Sequence, residues 1–553
     1  MNTSPLAPCH IRPAGGAAFC VQPQSGQSLS QCIWLSGHIP APALCSGIGR
    51  CGLCRVRFVA LASTEQQGNA SPPAALPDEY SILGNTAVEQ GWRLACRHPA
   101  RTGAGWVLEL PPNAARFERE NRMQPADLAA QESLLLAVDL GTTSLCWQAL
   151  TAQGQVVAQG QQPNPQAGAG ADIMHRLHQA QQPQGKAQLA WLARQAVADI
   201  IDSLPAPVAE ICLAANPAMT AIFLLHDCSG LCAAPYRLGH HGNVVLSQLP
   251  IDPRVATAHN AANTILPQAT KSHKKHASLP PVFVPPQLFP FIGGDVSAGL
   301  LALSQQPDVR YPFLLADMGT NGEFILALSP TDFLAASVPL GPALEGCGLT
   351  LGAVAAPHSA TAFSLSPTGL LPRTPTGQKA QRISGTGYLS LISILLRIGL
   401  LDHAGHFVLK PATPLAQRLG RNVQAGCLPL TPELFLSAHD VEELLKVKAA
   451  FSLAVESLLQ AAGIGSNALQ KVYLAGALGA HVQPDDLITL GFLPTSLRQV
   501  IHAAGNTALQ GAALLLQKPA LRDTVATLAQ HCRLLPVAES ATFTHDYMRH
   551  MRF

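Results

Sequence analysis

The chain is predicted to be a small α+β module followed by a larger α/β body of two related halves, and three observations in its 553 residues lead there. Two distant stretches, LLLAVDLGTTSLCWQAL at 134–150 and FLLADMGTNGEFILAL at 313–328, share one design. Each runs apolar into an acidic residue, turns through glycine with hydroxyl or amide side chains, and re-enters an apolar run. That is a β-hairpin with polar groups at its tip, and two such hairpins facing each other make a phosphate clamp. Ahead of both, ALCSGIGRCGLC gathers three cysteines among glycines. At the usual domain size the length allows about three or four domains.

Composition removes several functions. Hydrophobic residues make up 48% and charged ones only 12%, with 45 Gly and 45 Pro marking many turns, so burial is not limiting. The most apolar stretch, 389–401, carries Arg397 and is shorter than the roughly 18–20 residues a membrane span needs. Pro5, Pro8, His10 and Arg12 precede any apolar run, unlike a secretory signal, and a cytoplasmic location is expected. The net charge of +2 is spread along the chain, so neither nucleic acid nor a membrane is expected as partner. The basic run at 271–276 lies among prolines and reads as a solvated loop. Fourteen cysteines without an export signal favour reduced thiols or metal ligands over disulfides.

Cys45, Cys51 and Cys54 stand in a C-x5-C-x2-C arrangement, and Cys96 follows in WRLACRHPA. Glycines beside such thiolates let backbone N–H groups close around a cluster and donate to its sulfurs. The pattern resembles the loop of a [2Fe–2S] ferredoxin, whose cluster takes four cysteines. The plant form has four residues between the first pair; the five here match other ferredoxin branches. A zinc knuckle and a chance grouping are the alternatives, but zinc usually takes two C-x2-C pairs or added histidines. Cys9, Cys20 and Cys32 lack comparable context, and buried thiols are common. Short alternating runs such as 55–61 fit the strands of a β-grasp ferredoxin sheet, closing near Leu110. The domain expectation is a [2Fe–2S] ferredoxin-type domain at 1–110, a polar linker at 111–131 that leaves the cluster free to reach another protein, a first half at 132–310 and a second at 311–553.

In the first half, Asp139 ends a buried apolar strand and Gly141, Thr142, Thr143 and Ser144 form a turn suited to phosphate oxygens. Asp139 would hold Mg²⁺, directly or through water. An ordinary polar hairpin would carry the same residues. The second copy, Asp317, Gly319, Thr320, Asn321, Gly322 and Glu323, shifts the balance. The pair resembles the phosphate loops of the sugar kinase, heat-shock chaperone and actin superfamily (ASKHA), in which two related halves close on ATP. On that resemblance FIGGDVSAGLLAL at 291–303 is the first connecting segment, and Asp295 would position or deprotonate the attacking water; a helix cap is the plainer role. Asp317 and Glu323 join it as catalytic candidates. VYLAGALGAHV, with Gly476 and Gly479, looks like the adenosine-contacting strand and turn, and AAGNTALQGAALLL, with Gly505, Asn506 and Gly511, the second connecting helix. Packing alone would explain the small residues of that helix; the order of the segments carries more weight. A long helix is expected from about Asp440 to Ala462, with Ser437 and Asp440 as a capping box and Gly463 as its stop.

A ferredoxin fused to an ASKHA ATPase resembles the reductive activators of corrinoid proteins. NPQAGAGADIMHRL from Asn164, ANPAMTAIFLL from Ala215, GPALEGCGLTLGA from Gly341, ISGTGYLSLI from Ile383 and the stretch 539–553 are similar to that family. Pro217 and Ala218 depart from its threonines, and 266–282 looks like an insertion. The resemblance implies an ATP-hydrolysing iron–sulfur protein that returns the Co(II) corrinoid of a methyltransferase system to Co(I), with a corrinoid protein as partner, an upstream electron donor, and a homodimeric state. No D-x-H-x-x-G cobalamin motif is present, so the corrinoid arrives on the partner. The competing expectations are a donor to another low-potential metalloenzyme and a small-molecule kinase with a redox-sensing module. His226, Cys228 and Cys232 are read as packing residues rather than a second metal site, as are Cys146 and Cys347.

Overall fold

The alternating runs near the N-terminus pair into one mixed sheet. In the computed structural model its strands are β1 (Cys9–Pro13), β2 (Phe19–Val21), β3 (Arg55–Ala60), β4 (Trp92–Leu94) and β5 (Trp106–Leu110). Their order is β2-β1-β5-β3-β4, with β1 and β5 parallel at the centre and the other pairs antiparallel. The helix Leu29–Trp34 starts on a Ser28–Gln31 capping box. It buries Leu29, Cys32, Ile33 and Trp34 with Ile11, Val56, Phe58 and Leu108 in the module's core. The structure describes all residues except 1–5, 40, 42–46, 48, 50, 51, 61–70, 104, 112–121, 124–132, 171, 255–276, 347, 367, 368 and 480. The expected linker therefore lies outside the described residues, apart from Pro111 and β6 (Arg122–Met123), and so does most of the expected insertion.

Two compact units divide the chain: residues 1–240 with 244–283, and residues 241–243 with 284–553. The first unit contains the N-terminal module and a seven-stranded sheet. Its strands are β6, β7 (Leu134–Leu140), β8 (Ser144–Leu150), β9 (Val156–Pro163), β10 (Val208–Ala215), β11 (Val244–Leu246) and, after a small ribbon of β12 (Leu249–Pro250) and β13 (Ser278–Leu279), β14 (Val282–Val284). The order is β11-β14-β10-β7-β8-β9-β6. β7 is parallel to β10 and antiparallel to β8, so the first glycine hairpin sits mid-sheet. The apolar runs of β7 and β10 are buried as expected for central strands. The helix Pro183–Ser203 supplies Leu189, Ala193 and Val197 as buried residues.

The second unit is built on β15 (Phe313–Met318), β16 (Asn321–Ser329) and β17 (Asp332–Pro339), an antiparallel meander. Small pairings follow: β18 (Gly352–Ala353) and β19 (Ser359–Ala360) on β22 (Arg382–Ser384), β20 (Ala362–Ser366) with β21 (Gly369–Arg373), and β23 (Cys427–Pro429) with β24 (Phe435–Ser437). β25 (Lys471–Ala475), β26 (Ile501–Gly505) and β27 (Cys532–Leu534) complete the main sheet in the order β26-β25-β15-β16-β17-β27. The long helix spans Ala438–Ala461, and Ser437 and Asp440 form the expected capping box. It starts two residues earlier than the expectation because Asp440 is the third helical residue of the box, not the first. Phe451 packs edge-on against both Phe324 and Phe492, tying this helix to the sheet. Among the described residues no helix is long and apolar enough to cross a membrane.

Candidate functional site

The cysteine module is positioned by the β3–β4 pair. Arg55 stands opposite Leu94, and Ala95 N–H donates to the Cys54 carbonyl at 2.9 Å. Antiparallel pairing thus brings Cys54, just before β3, beside Cys96, just after β4. Cys54 is buried and Cys96 half-buried against the same core. Cys45 and Cys51 lie outside the described residues, although Gly49 between them is described: a Cβ there would stand 2.9 Å from Arg97 Cδ. Gly49 thus lies against the neighbour of Cys96. Among the described residues alone, no group of three or more His, Cys, Asp or Glu side chains forms a metal site. The donor set that Cys54 and Cys96 begin, soft thiolates brought together by a sheet end, fits an iron–sulfur cluster.

Support for the Cys96 arm comes from a buried carboxylate that the sequence did not single out. Glu79 accepts from Leu94 N–H at 2.6 Å, from Leu76 N–H at 2.8 Å, and pairs with His98 Nε2 at 3.1 Å. Burial opposes its ionisation, but His98 and the two amides together hold its carboxyl below the usual range. Cys32 instead sits in the core by Cys9; the Cys9 contact and burial push its thiol up, a packing role.

In the first glycine hairpin, Asp139 lies within β7, opposite Cys146 of β8 and Ala214 of β10. The turn 141–143 is held from two distant segments. Asn164 Nδ2 donates to the Gly141 carbonyl at 2.6 Å, and Asn164 N–H donates to the Thr143 carbonyl at 2.8 Å. Asn216, cap of the helix Pro217–Leu224, donates to Thr142 Oγ1 at 3.2 Å. These bonds fix the Gly141 and Thr143 carbonyls and the Thr142 hydroxyl.

The second hairpin gathers the carboxylates. Asp317 and Glu323 are directly opposed across β15 and β16, which puts both side chains on one face. Asp295 joins them from the first turn of the helix Gly294–Ser304. Both Asp295 and Glu323 keep a little accessible surface but lie under enough protein that burial dominates. Burial pushes Asp295 up to about 6, against the pull of backbone amides. Burial, then the charges of Asp317 and Asp295, push Glu323 well above the usual carboxylate range. The three predicted catalytic residues are thus brought into one electrostatic cluster.

Gly476 opens a short turn after β25 with φ +80°, and a Cβ there would stand 2.5 Å from Asp317 Oδ1. Only glycine lets this turn lie against the carboxylate. Gly479 packs on Leu474, away from that contact. Thr320 Oγ1 donates to Glu345 Oε1 at 2.9 Å, and its carbonyl accepts from Gly341 N–H. Gly322 is pressed between Phe324 and Leu340. Gly319 and Asn321 complete the turn, with Gly319 N–H donating to the Asn321 carbonyl. The two connecting helices, Gly294–Ser304 and Thr507–Gln517, pack on each other: a Cβ on Gly299 would meet Thr507 Oγ1 at 2.7 Å, and one on Gly511 would overlap the Ala298 carbonyl. Sequence reasoning missed Gln287, buried against Gly294 at the head of the first helix with its Oε1 unpartnered among the described residues.

Comparison with known proteins follows this architecture. Residues 134–271 match the family described as the RACo middle region, and residues 312–553 that described as the C-terminal domain of RACo, the ASKHA domain. The corrinoid activation enzyme RamQ of Eubacterium limosum is 29% identical over 285 residues, 48% of this chain and 46% of its own. The [Co(II) methylated amine-specific corrinoid protein] reductase of Methanosarcina barkeri is 28% identical over 310 residues, 51% of this chain and 54% of its own. The chain thus spans about half the length of the curated relatives it matches. A solved structure titled reductive activator for corrinoid, iron-sulfur protein superposes with a TM-score of 0.62 at 19% identity, covering 99% of this chain and 98% of that one; this is a likeness of fold. With a RACo middle region followed by a RACo C-terminal ASKHA domain, the chain belongs to the RACo family.

Proposed function

We propose that this protein is an ATP-dependent reductive activator: it hydrolyses ATP and delivers one electron, by way of a [2Fe–2S] cluster, to the Co(II) corrinoid of a methyltransferase's corrinoid protein, restoring Co(I). One observation carries the reading. A RACo-type ASKHA domain is preceded, in the same chain, by a β-grasp-like module whose β3–β4 pairing brings Cys54 to Cys96. Cys45, Cys51, Cys54 and Cys96 would hold the cluster, which when bound supplies a one-electron donor. The names of the two curated relatives support a corrinoid protein as partner.

The residues divide the ATP chemistry. Asp139 would hold Mg²⁺, while Gly141, Thr142 and Thr143 on one hairpin and Gly319, Thr320, Asn321 and Gly322 on the other offer N–H and hydroxyl groups to phosphate. Asp295, pushed up to about 6, is largely ionised at neutral pH yet more basic than an ordinary aspartate. It is suited to take a proton from the attacking water. Burial, then the charges of Asp317 and Asp295, raise Glu323 well above the usual carboxylate range, and in its protonated form it donates a hydrogen bond where a carboxylate would only accept. Each ~100 mV of uphill gap costs about 2.3 kcal/mol per electron. Nucleotide helps by favouring a protein state in which transfer is easier. The reading also carries an upstream electron donor, a homodimer and a cytoplasmic setting.

The test is to incubate iron-loaded protein with ATP, a reductant and a Co(II) corrinoid protein while following the cobalt absorbance. ATP-dependent loss of the Co(II) spectrum is expected. If ATP makes no difference the activator reading fails, and stoichiometric phosphorylation of a metabolite would establish the kinase instead.

A further inference from the structure

The turn Pro165–Ala169 touches both halves of the chemistry in the first unit. On one side it begins at Asn164, which is fully buried and uses every polar group it has. Its side-chain amide and backbone N–H bind the carbonyls of Gly141 and Thr143 in the first glycine hairpin. Its Oδ1 accepts from Gln166 N–H at 2.8 Å and its carbonyl from Ala167 N–H at 3.0 Å, which fixes the turn to it. On the other side the turn enters the cysteine module. Ala167 belongs to that module's core, and a Cβ on Gly168 would stand 2.8 Å from the carbonyl carbon and oxygen of Trp34.

Two further contacts secure the same junction. Gln188 Nε2 donates to the Leu35 carbonyl at 2.6 Å, and Gly37 lies against Trp191 and Leu192, where a Cβ would stand 2.8 Å from the Trp191 ring. Arg254 stacks 3.7 Å from the centre of that ring and is held by Asp252. In sequence, the chain leaving this junction runs on toward Cys45 and Cys51. The module is therefore joined to the middle region by packing as well as by its linker, through the segment that also grips the hairpin.

We propose that Asn164 and Gly168 are positioning residues that couple nucleotide at the Gly141–Thr143 turn to the setting of the cluster-bearing module. This rests on the function proposed above. Ligand phosphates seated on the turn bias the carbonyls that Asn164 grips. Because close-packed groups shift together rather than deform singly, the bias is passed to Trp34. Linkage makes the effect mutual: whatever loosens the Trp34 junction changes nucleotide affinity by the factor with which nucleotide tightens the junction.

Hydrogen exchange of residues 28–38 in the iron-loaded full chain, with and without MgATP, tests the coupling. MgATP is expected to slow exchange there about fivefold or more, the lower end of ordinary coupling. Gly168→Ala, which crowds Trp34, and the milder Gln188→Ala, which deletes the Leu35 bond, are expected to keep iron and to abolish the response. Native protein that binds iron and MgATP without any change at 28–38 overturns the coupling and leaves the proposed function standing. So does Gln188→Ala together with a folded Gly168→Ala, both retaining the full response. Native protein that takes up no iron, or no MgATP, removes the proposed function and the coupling with it.

Discussion

Two carboxylates and a cysteine carry the sharpest tests at the level of single residues. Asp317 faces Glu323 across the sheet and lies against Gly476, so Asp317→Ala is expected to keep the iron absorbance and lower ATP turnover roughly 100-fold, an effect typical of losing a central electrostatic group. Full ATPase in that variant removes Asp317 from the site. Asp295 makes a prediction about stability. The fold raises its pKa from 3.8 to about 6, so the native chain holds this proton more tightly than the unfolded chain. Its contribution is intact below about pH 4 and is lost as pH rises through 6. Asp295→Asn should flatten the fall in urea-measured stability between pH 4 and 6 and add about 2–3 kcal/mol above it. Cys54→Ser should lose or weaken the iron absorbance while nucleotide binding persists; an intact cluster would return the ligand question to other cysteines.

Elements come into view where two of them have no room for a side chain. The helices Gly294–Ser304 and Thr507–Gln517 cross at Gly299 and Gly511. Gly511→Ala drives a methyl into the Ala298 carbonyl, and overpacking of this kind costs about 1–3 kcal/mol. A matching fall in melting temperature with reduced ATP turnover is the expected outcome. These helices, the two hairpins and the capped helix Ala438–Ala461 were all legible in the sequence. Each is specified locally: by a change of hydrophobic period, a glycine turn, or Ser437 three residues before Asp440. What holds the hairpin tips was not legible. Asn164, Asn216 and Glu345 reach them from segments distant in the chain, and nothing in their own neighbourhoods marks a partner. Glu323 shows the same limit. Its residue type suggested an acid, but its raised pKa comes from burial and from the charges of Asp317 and Asp295, which only the tertiary fold brings together.

At the level of the whole molecule, the first unit holds the cysteine module and the first hairpin as one packed body, where the sequence had suggested a module tethered by a linker. Asn164→Ala tests how far this integration matters to the nucleotide. Removing bonds to Gly141 and Gln166 from a buried site costs more than about 1 kcal/mol, so calorimetry should show ATP bound roughly tenfold more weakly. The parallel pairing of β1 with β5 has a different consequence, for biosynthesis. His10 finds its partner Val107 only after almost the entire module has been made, and every cysteine of the proposed cluster lies between them. A sheet closed by its first and last strands has high contact order and cannot form piecemeal on the ribosome. Iron loading should therefore follow release of Leu110, which leaves the four thiols open to oxidation during synthesis and makes the yield of loaded protein depend on iron supply at that moment.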